Sequence, residues 1–118
     1  MELERYSRQT LLAEIGPAGQ ERLLSSSAAL IGCGALGTVI ASTLVRAGVG
    51  RVRIVDRDYV ELNNLQRQIL FDEEDIKNNL PKAIAAERHL KKVNSTIEIE
   101  GLVSDVNYTN IEKLVQGA

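Results

Sequence analysis

The sequence predicts an α/β fold built on a mostly parallel sheet. Short apolar runs alternate with segments of helical periodicity. A glycine triplet, Gly32, Gly34 and Gly37, stands where the first apolar run meets the first long helix. With 118 residues the chain is long enough to bury one core.

Residues 1–27 form an entry segment. It opens on Arg5-Tyr6-Ser7-Arg8-Gln9 and carries a short helix near 18–24, behind Gly16-Pro17. Residues 28–31 read as a buried first strand that runs into the glycine loop. The next helix spans about 35–47. Leu36, Val39, Ile40, Thr43, Leu44 and Ala47 recur at helical spacing and are expected to form its buried face. Gly48 supplies the stop, and Arg46 suits the negative helix end. Residues 52–55 form a second strand ending at Asp56. A long polar connection, 57–80, follows; Leu62, Leu65, Ile69, Leu70 and Phe71 argue that it is ordered. Pro81 opens a helix to about Val93, with Ala83, Ala86, Leu90 and Val93 at helical spacing. In the third strand, 96–103, Ile97 and Ile99 alternate with Glu98 and Glu100, so one face is wet and the strand suits a sheet edge. Thr109-Asn110-Ile111-Glu112 has capping-box spacing and opens a short helix that stops at Gly117.

The pattern then ends where a doubly wound sheet calls for another strand. The expectation is one partial domain over 1–118: a helical segment, 1–27, and a Rossmann-like three-layer half, 28–118, cut to about its first three strands. Such a chain is a fragment, or a short form that completes its sheet by association.

A net charge of −2 gives no support for general nucleic-acid or membrane binding. No apolar run reaches the ~20 residues of a bilayer span, and the first residues lack a signal-peptide pattern. The single cysteine, Cys33, excludes an internal disulfide and a multi-cysteine zinc site, which makes the cytoplasm the default compartment. With three Tyr, one Phe and no Trp, an adenine pocket here would be aliphatic.

The glycine spacing has a chemical reason. The first glycine permits a tight turn, the second lets backbone approach a phosphate, and the third lets helix pack on strand. The helix start offers free N–H groups to an anion. Asp56, about 20 residues downstream, is placed to accept ribose hydroxyls. Together these indicate a nucleotide, without choosing between ATP and a dinucleotide. Lys82 at a helix start opposes the helix dipole unless an anion lies near; the alternative is a solvated lysine. Arg67, in the long connection, either faces the strand ends or is a surface arginine. Asp58 is a second polar anchor or simply solvated. Cys33 is read as small packing rather than as a nucleophile, His89 as a surface residue without a partner, and 72–75 as a solvated acidic face. No metal-ligand set is found in the chain.

The ordered motifs Arg5-Tyr6-Ser7-Arg8-Gln9, Gly32-Cys33-Gly34-Ala35-Leu36-Gly37, Asp56-Arg57-Asp58, Asn63-Asn64-Leu65-Gln66-Arg67-Gln68 and Pro81-Lys82-Ala83 resemble the ThiF/MoeB/HesA family of ubiquitin-activating-like enzymes over essentially the whole chain. The resemblance implies ATP-dependent adenylation of the C-terminal glycine carboxylate of a ubiquitin-like sulfur-carrier protein, by a homodimer that uses Mg2+. It implies that Gly32, Gly34, Ala35 and Gly37 approach the nucleotide, that Asp56 holds the ribose, and that Asp58, Asn64 and Gln68 line the site. It gives Arg67 and Lys82 the phosphates, and Arg8 the role of an arginine finger reaching a partner's site. The main magnesium-binding aspartate is expected on a later strand, beyond this chain. Some family branches act on tRNA-linked carboxylates. Asn79-Leu80 before Pro81 departs from the family's usual glycine. The rival readings are a fragment of an NAD-binding oxidoreductase, which gives Arg67 and Lys82 no work, and a non-catalytic dimerisation module.

Overall fold

The computed structural model describes residues 4–118. Its elements are helices α1 (Ser7–Thr10) and α2 (Gly16–Leu24), strand β1 (Ser27–Ile31), helix α3 (Ala35–Ala47) and strand β2 (Arg51–Asp56). A 3-10 turn (Leu62–Asn64), helices α4 (Glu73–Lys77) and α5 (Lys82–Val93), strand β3 (Glu98–Val103) and helix α6 (Ile111–Leu114) follow. The three strands are parallel in the order β1-β2-β3.

Helices α3 and α5 lie against one face of the sheet. Val52, Ile54 and Ile99 meet Ala41 and Val45 of α3 and Ala85, Ala86 and Leu90 of α5 in one core. Residues alternating with these point to the other face. There Arg51 pairs with Glu98 at 2.8 Å and Arg53 with Glu100 at 3.3 Å, each in register across the strands. Arg53 also donates to the Leu114 carbonyl at 2.9 Å, which seats α6 on this second face. The wet face expected of β3 is therefore a cross-strand charge ladder.

The boundaries of α3 fall as expected, and Gly48 closes it in the left-handed region at φ 88°. Its buried face does not. Thr38, Ala41, Ser42 and Val45 are buried, whereas Leu36, Val39, Ile40 and Thr43 are exposed and Leu44 and Ala47 half-buried. Small side chains let the helix approach the sheet closely, and large apolar ones are left outside. Likewise β1 is half-buried rather than buried, because it is a sheet edge. The capping box expected at 109–112 is absent. The Asn110 side chain accepts from the Asn107 N–H, the Thr109 hydroxyl turns to Asn107, and α6 ends at Leu114, short of Gly117. In the connection, Leu65, Leu70 and Phe71 pack on the core, while Leu62 and Ile69 are exposed.

The entry segment is fastened beneath the far end of α3. Tyr6 is buried, and its hydroxyl accepts from Asn94 Nδ2 at 2.9 Å; the same Nδ2 donates to the Val45 carbonyl at 3.0 Å. Gln9 and Gln20 both donate to the Ala47 carbonyl. No helix among the described residues is long and apolar enough to cross a membrane.

Candidate functional site

The glycine loop joins β1 to α3. Gly32 adopts φ +98°, which L side chains rarely tolerate, and the space beside its α-carbon is open for 4 Å. Its N–H donates to the Val55 carbonyl at 2.8 Å, continuing the sheet. A Cβ on Gly37 would lie 2.4 Å from the Gly32 carbonyl oxygen, so helix start and loop are in direct backbone contact. Among the described residues the N–H groups of Gly34, Ala35, Leu36 and Gly37 have no acceptor, and they lie at the positive end of a thirteen-residue helix.

Asp56 does more here than its position in the sequence implied. One carboxylate oxygen accepts the Cys33 N–H at 2.7 Å and the other the Asp58 N–H at 2.7 Å. The carboxylate thus pins the loop to the end of β2 while keeping lone pairs for a ligand. The Asp58 carbonyl in turn accepts the Lys82 N–H at 2.9 Å, and a bridge between Tyr59 and Pro81 holds the start of α5 beside it.

Cys33 is fully buried. Burial chiefly, and the Asp56 carboxylate next, push its thiol up to about 12, while the Lys82 ammonium pulls the other way. A thiol so held is no nucleophile at neutral pH, in line with the packing reading. Both charges therefore act across the loop. Lys82 is only 7% exposed and makes no ion pair among the described residues.

The turn after β2 brings further residues to the loop. Asn64 is buried, and its side chain closes the turn: Oδ1 accepts the Glu61 N–H at 2.8 Å and Nδ2 donates to Asn63 Oδ1 at 3.2 Å. Gln68 is buried with Nε2 near Gly34. Arg67 is exposed, tied by one donor to the Asn63 carbonyl at 3.0 Å, and its other donors meet no acceptor among the described residues. Beside the loop, a cleft of about 330 Å3 opens between the strand ends; Ile31, Gly32, Val55, Asp56, Asp58 and Val106 are among its walls. Its apolar part is aliphatic, and Arg57 at its rim pairs with Asp58 at 3.8 Å and Asp105 at 3.5 Å.

Gly32, Gly34, Ala35, Gly37, Asp56, Asp58, Gln68 and Lys82 thus gather at one end of the sheet. Arg8 does not join them. It is exposed on α1, which is fastened to the Ala47 end of α3, roughly 20 Å along the helix from the loop.

Two expectations away from the loop are corrected. His89 has a partner: its Nε2 lies 2.8 Å from Asp75 Oδ2 and 3.6 Å from Asp72 Oδ2. The acidic run is not a wholly solvated face, because Asp75 is buried and exchanges hydrogen bonds with Asp72 in a capping box that starts α4. Sequence spacing concealed this contact, since His89 sits on a different helix. Asp72, Asp75 and His89 also form the only group of ligand-type side chains close enough to share a metal ion among the described residues. It lies two turns along α5 from Lys82, apart from the glycine loop.

Comparison with known proteins places this geometry. The model of the ThiF family matches residues 6–118. The sulfur carrier protein ThiS adenylyltransferase of Bacillus subtilis is 57% identical over 114 residues, which are 97% of this chain and 34% of that protein. The crystal structure of selenomethionine PaaA superposes with a TM-score of 0.89 at 32% identity, covering 99% of this chain and 41% of that one. Escherichia coli MccB crystallised with ATP gives a TM-score of 0.82 at 32% identity, covering 93% of this chain and 33% of that one. The chain spans about a third of the length of this B. subtilis relative.

Proposed function

This chain belongs to the ThiF family, and on that premise we propose that it is the nucleotide-binding part of an enzyme that uses ATP to adenylate the C-terminal glycine carboxylate of a ubiquitin-like sulfur-carrier protein. The observation that carries the reading is the glycine loop. It offers four N–H groups at a helix start that no described residue accepts, open space at Gly32, the Asp56 carboxylate behind it and, beside it, the buried Lys82, which makes no ion pair among the described residues. That cradle fits a ribose and phosphates. The ATP complex of the similar MccB and the adenylyltransferase name of the B. subtilis relative support ATP over NAD.

The reaction asks little covalent chemistry of the protein. A carboxylate that is already ionised attacks the α-phosphorus in line, and pyrophosphate leaves, so no general base is needed. Catalysis is positioning and charge stabilisation. The loop N–H groups of Gly34, Ala35 and Gly37 and the Lys82 ammonium take phosphate oxygens. Asp56 accepts ribose hydroxyls with its free lone pairs, and Asp58 lines the same cleft. Asn64 holds the turn from which Arg67 reaches the phosphates. Arg8 belongs to the site of a second copy in a homodimer; its place at the opposite end of α3 and the exposed Leu36, Val39 and Ile40 support this. Mg2+ would neutralise phosphate charge, held mainly by a residue outside this chain. The reaction takes place in the cytoplasm.

The test is exchange of labelled pyrophosphate into ATP by the full-length protein. Exchange that depends on a carrier ending in Gly-Gly supports the reading; exchange unchanged by Arg67→Ala counts against the site assignment.

A further inference from the structure

Gln68 is 3% exposed, and its carboxamide makes no hydrogen bond with any described residue. Oε1 is sealed from solvent without a partner among the described residues. Nε2 faces the glycine loop, 3.8 Å from where a Cβ on Gly34 would sit. A buried carbonyl oxygen without a partner is unfavourable, and a leucine or methionine would fill the same volume without that penalty. The residue is also part of the arginine-bearing turn, because the Arg67 and Gln68 N–H groups both donate to the Asn64 carbonyl, at 3.2 and 2.8 Å.

We propose that Gln68 is a positioning residue whose hydrogen bonds form only when an anion occupies the glycine loop. The carboxamide then turns, one end bonding the loop and the other the anion, and so ties the turn that carries Arg67 to the loop that carries the phosphates. This rests on the nucleotide reading above and deepens it: the apo state holds a polar group that only the loaded state satisfies.

The experiment compares wild type with Gln68→Leu and Gln68→Met in the full-length protein, by ligand-free Tm and by affinity for ATP and for inorganic tripolyphosphate. Both variants are expected to raise the ligand-free Tm by about 2–5 °C and to weaken both ligands about tenfold. A glutamine that merely packs would lower the Tm when replaced and leave the affinities alone. A lower ligand-free Tm in both variants, or unchanged affinities in both, overturns the inference while the nucleotide reading stands. A wild-type protein that binds neither ligand overturns both.

Discussion

Replacing Gly34 and Gly37 separately by alanine divides what the loop does for the fold from what it does for the ligand. At Gly37 the new Cβ would sit 2.4 Å from the Gly32 carbonyl oxygen and 3.1 Å from its carbon. An ordinary carbon–oxygen contact needs roughly 3.2 Å, so two backbone segments must part by roughly 0.8 Å, at a cost of about 2–3 kcal/mol. At Gly34 the new Cβ meets nothing closer than Gln68 Nε2 at 3.8 Å, an ordinary contact. Alanine is also a poorer N-cap than glycine, which adds about 0.5–1 kcal/mol. Gly34→Ala should therefore leave the fold nearly intact while placing a methyl group where the proposed phosphate would approach backbone. Urea unfolding and calorimetric titration with ATP read the two effects. Gly37→Ala should lose about 2–3 kcal/mol of stability and its binding together. Gly34→Ala should keep its unfolding midpoint within a small shift and lose ATP affinity by at least about tenfold. Gly34→Ala protein that binds ATP as wild type does would refute the loop as the phosphate cradle.

Other substitutions probe the neighbouring groups. Lys82→Met should hold or raise stability, since it removes a buried ammonium with no ion pair among the described residues, yet lower ATP affinity about 10- to 100-fold; a Lys82→Met protein with unimpaired affinity would remove Lys82 from the site. Gly48→Ala would set a Cβ 2.6 Å from the Tyr6 ring at φ +88°, so about 2–3 kcal/mol of stability should go and trypsin should cut after Arg8 far faster; unchanged protease resistance would contradict the latch around Tyr6. Cys33 keeps its proton in the folded chain up to about pH 12, whereas the unfolded thiol loses it near its ordinary value of 9.0. Its contribution is therefore complete below pH 9.0 and is lost as pH rises toward 12. Stability should fall less steeply between about pH 9 and pH 11 in Cys33→Ala, and the native thiol should resist iodoacetamide at about pH 8; rapid native labelling would disprove its burial.

Strand, loop, helix, strand and acid were legible because each leaves a local signature: the glycine spacing, the Gly48 stop and the acid closing β2. The face of α3 was not. Hydrophobic periodicity weighs side-chain size and chose Leu36, Val39 and Ile40, whereas the sheet beneath admits only Thr38, Ala41, Ser42 and Val45 at close range. Contacts between distant segments left no trace either. Tyr6 and Asn94 are 88 positions apart, and His89 and Asp75 sit on different helices. Asp56 shows how a site residue can be found for half its reason. Its position at the end of a strand is what suggests the proposed ribose contact, but its grip on the Cys33 N–H depends on a loop that exists only once folded.

The most direct measurement is a calorimetric titration of the full-length protein with ATP and, separately, with NAD+. ATP binding at the glycine loop predicts saturable heat with ATP that weakens with salt as the phosphates lose Lys82 and Arg67, and no heat with NAD+ at the same concentrations. Saturable binding of NAD+ with none of ATP would contradict it.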